Sequence, residues 1–156
     1  MAWVWSRRNG KRGKLRTALG ILWEGPQNAL GAIAFGAHLL LRNIDRVKQE
    51  RGRLFVELRR GGAVSLGWFV FWTRVDSTFV RVNPRNKDHE YGHSLQSRLL
   101  GPFYLLVVGI PSTLRVGYAM AQWLFTRRPW DGYYDGFPER WADRLGGILP
   151  AERGRT

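Results

Sequence analysis

The sequence predicts an α+β domain that is mainly helical, with a small antiparallel sheet ahead of a helix carrying two histidines. Three observations predict it. A β-rich alternating segment near residues 53–72 reads as a hairpin, two apolar regions over 18–41 and 99–125 read as helices, and His89 and His93 stand one helical turn apart. At 156 residues the chain is long enough for one domain with its own core.

Residues 1–17 read as a basic, flexible tail, in which Arg7, Arg8, Lys11, Arg12, Lys14 and Arg16 follow Trp3 and Trp5 with no acid among them. Aromatics beside a cationic cluster suit an anionic membrane surface. Residues 18–150 read as the single folded domain. Region 18–41 is apolar apart from Glu24-Gly25-Pro26-Gln27-Asn28, and Pro26 breaks or kinks a continuous helix there. The uninterrupted part, Ala29 to Leu41, is too short to cross a bilayer upright. No small-residue cleavage site follows it, so it does not read as a secretory signal. A core helix or an interfacial segment fits, in a cytoplasmic protein or one attached to the cytoplasmic face of a membrane.

Arg53 to Arg59 alternates, Gly61-Gly62 offers a turn, Ala63 to Trp72 reads as the returning strand and Thr78 to Val82 as a third. Asn83-Pro84-Arg85-Asn86 is a loop, with Asn86 or Asp88 as the cap of the histidine helix, which is expected to end near Gly101-Pro102. Region 99–125 could cross a membrane on length alone. Gly101-Pro102, Gly109, Pro111 and Arg115 interrupt it, so two shorter helices parted at Pro111-Ser112 are expected, packed on the histidine helix or dipping into one leaflet. A loop rich in aromatics over Thr126 to Phe137 leads to a last helix from Pro138 to Gly146-Gly147.

The chemistry begins with what is missing. There are no cysteines, which excludes disulfides and thiolate metal ligands and leaves histidines and carboxylates as the donors for any metal. The histidines are His38, His89 and His93, and His38 lies in an apolar run where it reads as a packing residue. His89-Glu90-Tyr91-Gly92-His93 spells H-E-x-x-H, which on a helix turns both imidazoles to one face and puts Glu90 within reach of a water on the same metal. In the last helix Glu139 and Asp143 are also four apart. Glu139 can complete a His-His-Glu set with a fourth position open for water. Asp143 can accept the other ring N–H of a ligating histidine. Tyr133, Tyr134 and Arg140 lie close to Glu139 in sequence and are candidates to stabilise a developing oxyanion. Gly92 fits close helix packing, and Gln96, one turn beyond His93, either lines the site or caps a neighbouring carbonyl.

His89-Glu90-x-x-His93 followed by Glu139-x-x-x-Asp143 resembles the thermolysin-type gluzincin pattern. The resemblance implies a minimal zincin-like domain, zinc held by His89, His93 and Glu139, Glu90 as general base, and Asp143 behind a histidine. The chain is also similar to a family of small bacterial proteins of unassigned role. Their shared words stand here as Leu22-Trp23-Glu24-Gly25-Pro26-Gln27-Asn28, His89 to Ser97, Gly109-Ile110-Pro111-Ser112 and Pro138 to Gly147. The gluzincin likeness is confined to two helices, and the chain lacks the length for a large second lobe.

Three functions compete. The first is a membrane-associated zinc metallopeptidase acting on a peptide or protein substrate. The second is a non-catalytic module in which zinc staples two helices and the basic surface binds lipid or protein. The third is a charge-driven nucleic-acid binder, which the net charge of +13 favours. Against the third, the arginines are scattered among apolar segments and the motif residues would have no purpose.

Overall fold

A computed structural model describes residues 19–75, 77–80, 84–149 and 152. The basic tail expected over residues 1–17 lies outside them. Helix α1 (Gly25–Leu40) is followed by strands β1 (Ile44–Glu50), β2 (Arg53–Leu58), β3 (Val64–Leu66) and β4 (Phe69–Thr73). Helix α2 (Asn86–Leu100) carries the histidines. A 3-10 turn (Gly101–Phe103) and a π-helical stretch (Leu105–Gly109) lead into α3 (Ile110–Thr126), and α4 (Glu139–Gly146) closes the fold after a 3-10 segment at Asp131–Asp135.

The α+β class and the sheet ahead of α2 agree with the sequence reading, but the pairing does not. The sheet is mixed, in the order β1-β2-β4-β3. Strand β2 runs parallel to β4, with Leu54 opposite Phe69 and Leu58 opposite Thr73, so residues 53–72 do not form a hairpin. Ala63 to Trp72 is instead two antiparallel strands, β3 and β4, joined through Gly67 at φ 62°. The true hairpin partner of β2 is β1, whose sequence Ile-Asp-Arg-Val-Lys-Gln-Glu hides a strand because its side chains are almost all exposed. Arg51 and Gly52 join them at φ 49° and 74°, the two positive values that a tight hairpin turn requires. Residues 78–80, expected to begin a third strand, are a bend, and 81–82 lie outside the described residues.

Each face of the sheet takes one helix. On one, Val56, Leu58 and Phe71 form a core against Ala34 and Phe35 of α1. On the other, α2 packs through a buried surface that is unusually polar: Asn86, His89, Glu90, His93, Ser94, Gln96 and Ser97 are all buried. Buried polar groups need partners, and a network behind the histidines supplies them. Arg53 Nη1 donates to Glu24 Oε2 at 2.9 Å, Arg53 Nη2 donates to the Ser94 carbonyl at 2.7 Å, and Ser97 Oγ donates to Glu24 Oε1 at 2.8 Å. The interruption at Glu24 thus anchors α2 from behind.

The N-terminus of α2 departs from expectation. Arg85 occupies the cap without a side-chain cap bond, Asn86 Nδ2 donates to the Thr73 carbonyl at 3.1 Å, and Asp88 pairs with Arg51 and Arg85. In the second apolar region the irregularity falls at Gly101–Gly109, ahead of Pro111, rather than at Pro111-Ser112. Proline in a first turn gives up an N–H that has no partner there anyway, so Pro111 starts α3 rather than parting two helices. Arg115 is turned inward, donating to the Tyr133 and Gly132 carbonyls. Among the described residues no helix is long and apolar enough to cross a membrane.

Candidate metal centre

The site is built where α2 and α4 touch. Two glycines let them approach: a Cβ on Gly92 would collide with the Ala142 backbone, and one on Gly146 with the Asp88 carbonyl. The Phe137–Pro138 bond is cis, Pro138 caps α4 rather than entering its first turn, and the helix stops at Gly146 with Gly147 as its C-cap at φ 73°, the stop the sequence suggested. Its buried face consists of Glu139, Ala142 and Asp143.

That contact brings three donor atoms together. His93 Nε2 lies 3.2 Å from His89 Nε2, and Glu139 Oε2 lies 3.1 Å from the first histidine and 3.0 Å from the second. A tetrahedral zinc with bonds of about 2.0–2.1 Å sets its ligands about 3.3 Å apart, so the triangle has the size of one coordination sphere. All three residues are buried and form a group able to hold a metal ion.

The hydrogen bonds behind the triangle decide its chemistry. His89 Nδ1 lies 2.7 Å from Asp143 Oδ1, an oxygen that can only accept. His93 Nδ1 lies 2.7 Å from Gln96 Oε1, whose own amide nitrogen donates to the Pro138 carbonyl at 3.1 Å. Both Nδ1 atoms therefore carry the proton, and both Nε2 lone pairs face the Glu139 carboxylate. Three lone pairs at this separation repel unless a cation, metal or proton, sits among them. Ser112 Oγ donates to Glu139 Oε1 at 2.7 Å, which leaves Oε2 for the histidines.

The electrostatics agree. Burial works against the His89 imidazolium, but the hydrogen bonds it donates to Asp143 and Glu139 outweigh it and push its pKa up to about 10. Burial acts on Glu139 in the opposite sense to its partners, and the charge of His93 with hydrogen bonds to both histidines holds it well below the ordinary carboxylate range. Glu90 is pushed up, chiefly by burial. Its Oε2 lies 3.0 Å from Ser65 Oγ, a hydroxyl that β3 presents.

Glu90 and His93 line a cavity of about 500 Å³ with Ser65, Tyr104, Ser112, Thr113 and Tyr133, and its remaining walls are apolar. A second cavity of about 360 Å³ meets His89 and Glu90 from the other side of Tyr133. Tyr133 is buried, and burial followed by the Glu139 charge raises its pKa, so its hydroxyl keeps its proton. The Tyr134 ring stands edge-on to His89, 5.0 Å between centroids. Arg140 is exposed and lines neither cavity, which places it apart from the other two candidates because it follows Glu139 off the buried face of α4. His38 packs 5.6 Å from Phe71, far from this chemistry, as its apolar surroundings suggested.

The structure brings together His89, Glu90, His93, Glu139 and Asp143, all named by the sequence reading, and Gln96 both holds a histidine and caps a carbonyl. The sequence reading does not name Ser112 or Ser65, which meet Glu139 and Glu90. The only sequence signal for Ser112 is its place in the Gly-Ile-Pro-Ser word, and nothing marks Ser65. No family model matches the chain, and neither the curated proteins nor the solved structures include a match to it.

Proposed function

We propose that this protein is a zinc metallopeptidase of the gluzincin kind, working at a membrane surface on a peptide or protein substrate. One observation carries the reading: two histidine Nε2 atoms and one Glu139 oxygen converge at 3.0–3.2 Å while Glu90, which is not among the three, lines a cavity together with His93. Two imidazoles and a carboxylate with no thiolate suit catalytic zinc. Bound there, zinc would supply Lewis acidity to a scissile carbonyl and lower the pKa of a water.

The protein's own groups then have distinct tasks. Glu90 accepts the proton of the attacking water and delivers it to the leaving amine, a role that its raised pKa suits. Tyr133, protonated and beside Glu90, is the best-placed donor to the oxyanion. Asp143 and Gln96 keep both imidazoles in the ligating tautomer. Strand β3 is an edge of the sheet and lines the cavity, so it is a better platform for an extended peptide than the Thr78–Val82 segment.

The competing reading, a zinc staple without turnover, is favoured by the shortness of α4, eight residues held to α2 through the same contacts. Glu90→Gln separates the two. The peptidase reading expects about one zinc per chain, chelator-sensitive cleavage of a peptide library, and loss of cleavage in Glu90→Gln with zinc retained. Zinc without cleavage in the wild-type protein would leave the staple.

A further inference from the structure

The outer faces of α1 and α3 are apolar in a way that a water-facing helix is not. Helix α1 contains no aspartate, glutamate, lysine or arginine, and α3 contains only Arg115. Arg115 is spent inward on the 130s loop, stacked 4.7 Å over Trp130. Gln27, Gly31, Ala34 and Phe35 of α1 turn toward the protein, while Ile33 and Leu40, one heptad apart, are 70% and 86% exposed. On α3 the stripe runs through Ile110, Leu114, Tyr118 and Phe125, with Leu114 68% and Phe125 89% exposed. A helix apolar on every side belongs in a core or against lipid.

The two helices are linked through one junction. Trp23 donates its indole N–H to the Arg98 carbonyl and fills the space beside Gly101, and α1 packs on the Gly101–Phe103 turn that leads toward α3, around which Leu22, Leu99 and Phe103 are exposed. Cations ring this surface. Arg42 follows α1, Arg127 and Arg128 follow α3, and all three are exposed, with Arg127 stacked 4.8 Å over Trp123. In the sequence, the cationic run from Arg7 to Arg16 directly precedes Leu19. Glu24, which precedes α1, is buried on Arg53, and Asp45 pairs with Arg59; Asp131 and Asp135 are the exposed acids of the loop after α3, fewer than the cations beside the two helices. A second copy of the chain would bring two such rims together, like charge on like, whereas an anionic leaflet complements them.

We infer that the exposed faces of α1 and α3 form a monotopic docking surface that lies in the headgroup and upper acyl region of an anionic membrane without crossing it. Apolar burial supplies the depth and the arginines supply the preference for anionic lipid. Ile110 and Leu114 belong both to the stripe and to the wall of the 500 Å³ cavity, so the mouth beside Glu90 opens at the lipid surface. This deepens the membrane part of the proposed function and does not depend on peptide hydrolysis.

The test is flotation of the full chain with phosphatidylcholine vesicles, with and without about one third phosphatidylserine. Wild type is expected to float with the anionic vesicles and at least tenfold less with the neutral ones. Ile33→Asp with Leu114→Asp is expected to cut partition to anionic vesicles at least tenfold. Both side chains are exposed, so an unchanged melting temperature verifies the fold. Arg42→Glu with Arg127→Glu is expected to weaken binding at low salt and to reduce the preference for phosphatidylserine. No flotation of wild type, or undiminished flotation of the aspartate pair, would overturn the inference. So would a wild-type dimer that the aspartate pair dissociates while vesicle binding is absent. Glu90→Gln is expected to float as wild type does, so failure of docking and failure of the peptidase reading are read separately.

Discussion

At the scale of single residues, the account turns on which lone pairs point where. Asp143 and Gln96 each accept a hydrogen bond from the Nδ1–H of a histidine, and Ser112 holds one Glu139 oxygen so that the other faces the imidazoles. Asp143→Asn replaces an acceptor with an amide that can present either face, and Ser112→Ala frees the carboxylate. Each is expected to weaken zinc binding by about 10–100-fold, measured by competition with a fluorescent chelator, while the far-ultraviolet circular dichroism stays unchanged. Equal zinc affinity in both variants would show that these contacts do not position the ligands. Glu90→Gln tests a different function of the same cavity, since it keeps shape and zinc and removes the proton acceptor. Turnover is expected to fall by about 10²–10⁴-fold in a peptide cleavage assay.

At the scale of elements, the site exists because α2 and α4 come within backbone contact. Gly92→Ala inserts a methyl against the Ala142 backbone, which cannot swing aside as a flexible side chain could. A cost of about 1–3 kcal/mol in denaturant unfolding is expected, together with weaker zinc binding, because the helices that hold the ligands are pushed apart. Arg53→Met leaves Glu24 buried without its cation, and a loss of about 3–5 kcal/mol is expected from the same measurement. Stability near wild type in either variant would contradict the packing described. These elements also show what a sequence can reveal. The histidine pair and the Glu139–Asp143 pair are legible because four-residue spacing on a helix is a local rule. Ser112 and Ser65 are not, because they meet Glu139 and Glu90 only through tertiary packing, 27 and 25 residues away. Strand β1 is concealed by its exposed charges. The parallel β2–β4 pairing is concealed because Gly61-Gly62 resembles a hairpin turn, although the chain there crosses to the far edge of the sheet.

At the scale of the whole molecule, the buried cluster ties folding to protons and, on the proposed reading, to metal. His89 has its pKa raised from 6.5 to about 10 in the metal-free protein, so its contribution to stability is complete below pH 6.5 and is lost as the pH rises through 10. Glu139 is held below 4.5, so its contribution is present above pH 4.5 and is lost as the pH falls through its lower, folded value. The metal-free chain is therefore expected to be most stable between those limits, with a melting temperature that falls from about pH 6.5 to about pH 10. A zinc-loaded chain has exchanged that proton for metal and is expected to show a higher and flatter profile over the same range. A metal-free melting temperature that rose across this range would contradict the assignment. The most direct measurement of the central claim is the metal content of purified wild type and Glu139→Gln by mass spectrometry. About one zinc per chain is expected in the wild type and less than about a tenth of that in the variant. No metal in the wild type, or equal metal in both, would contradict it.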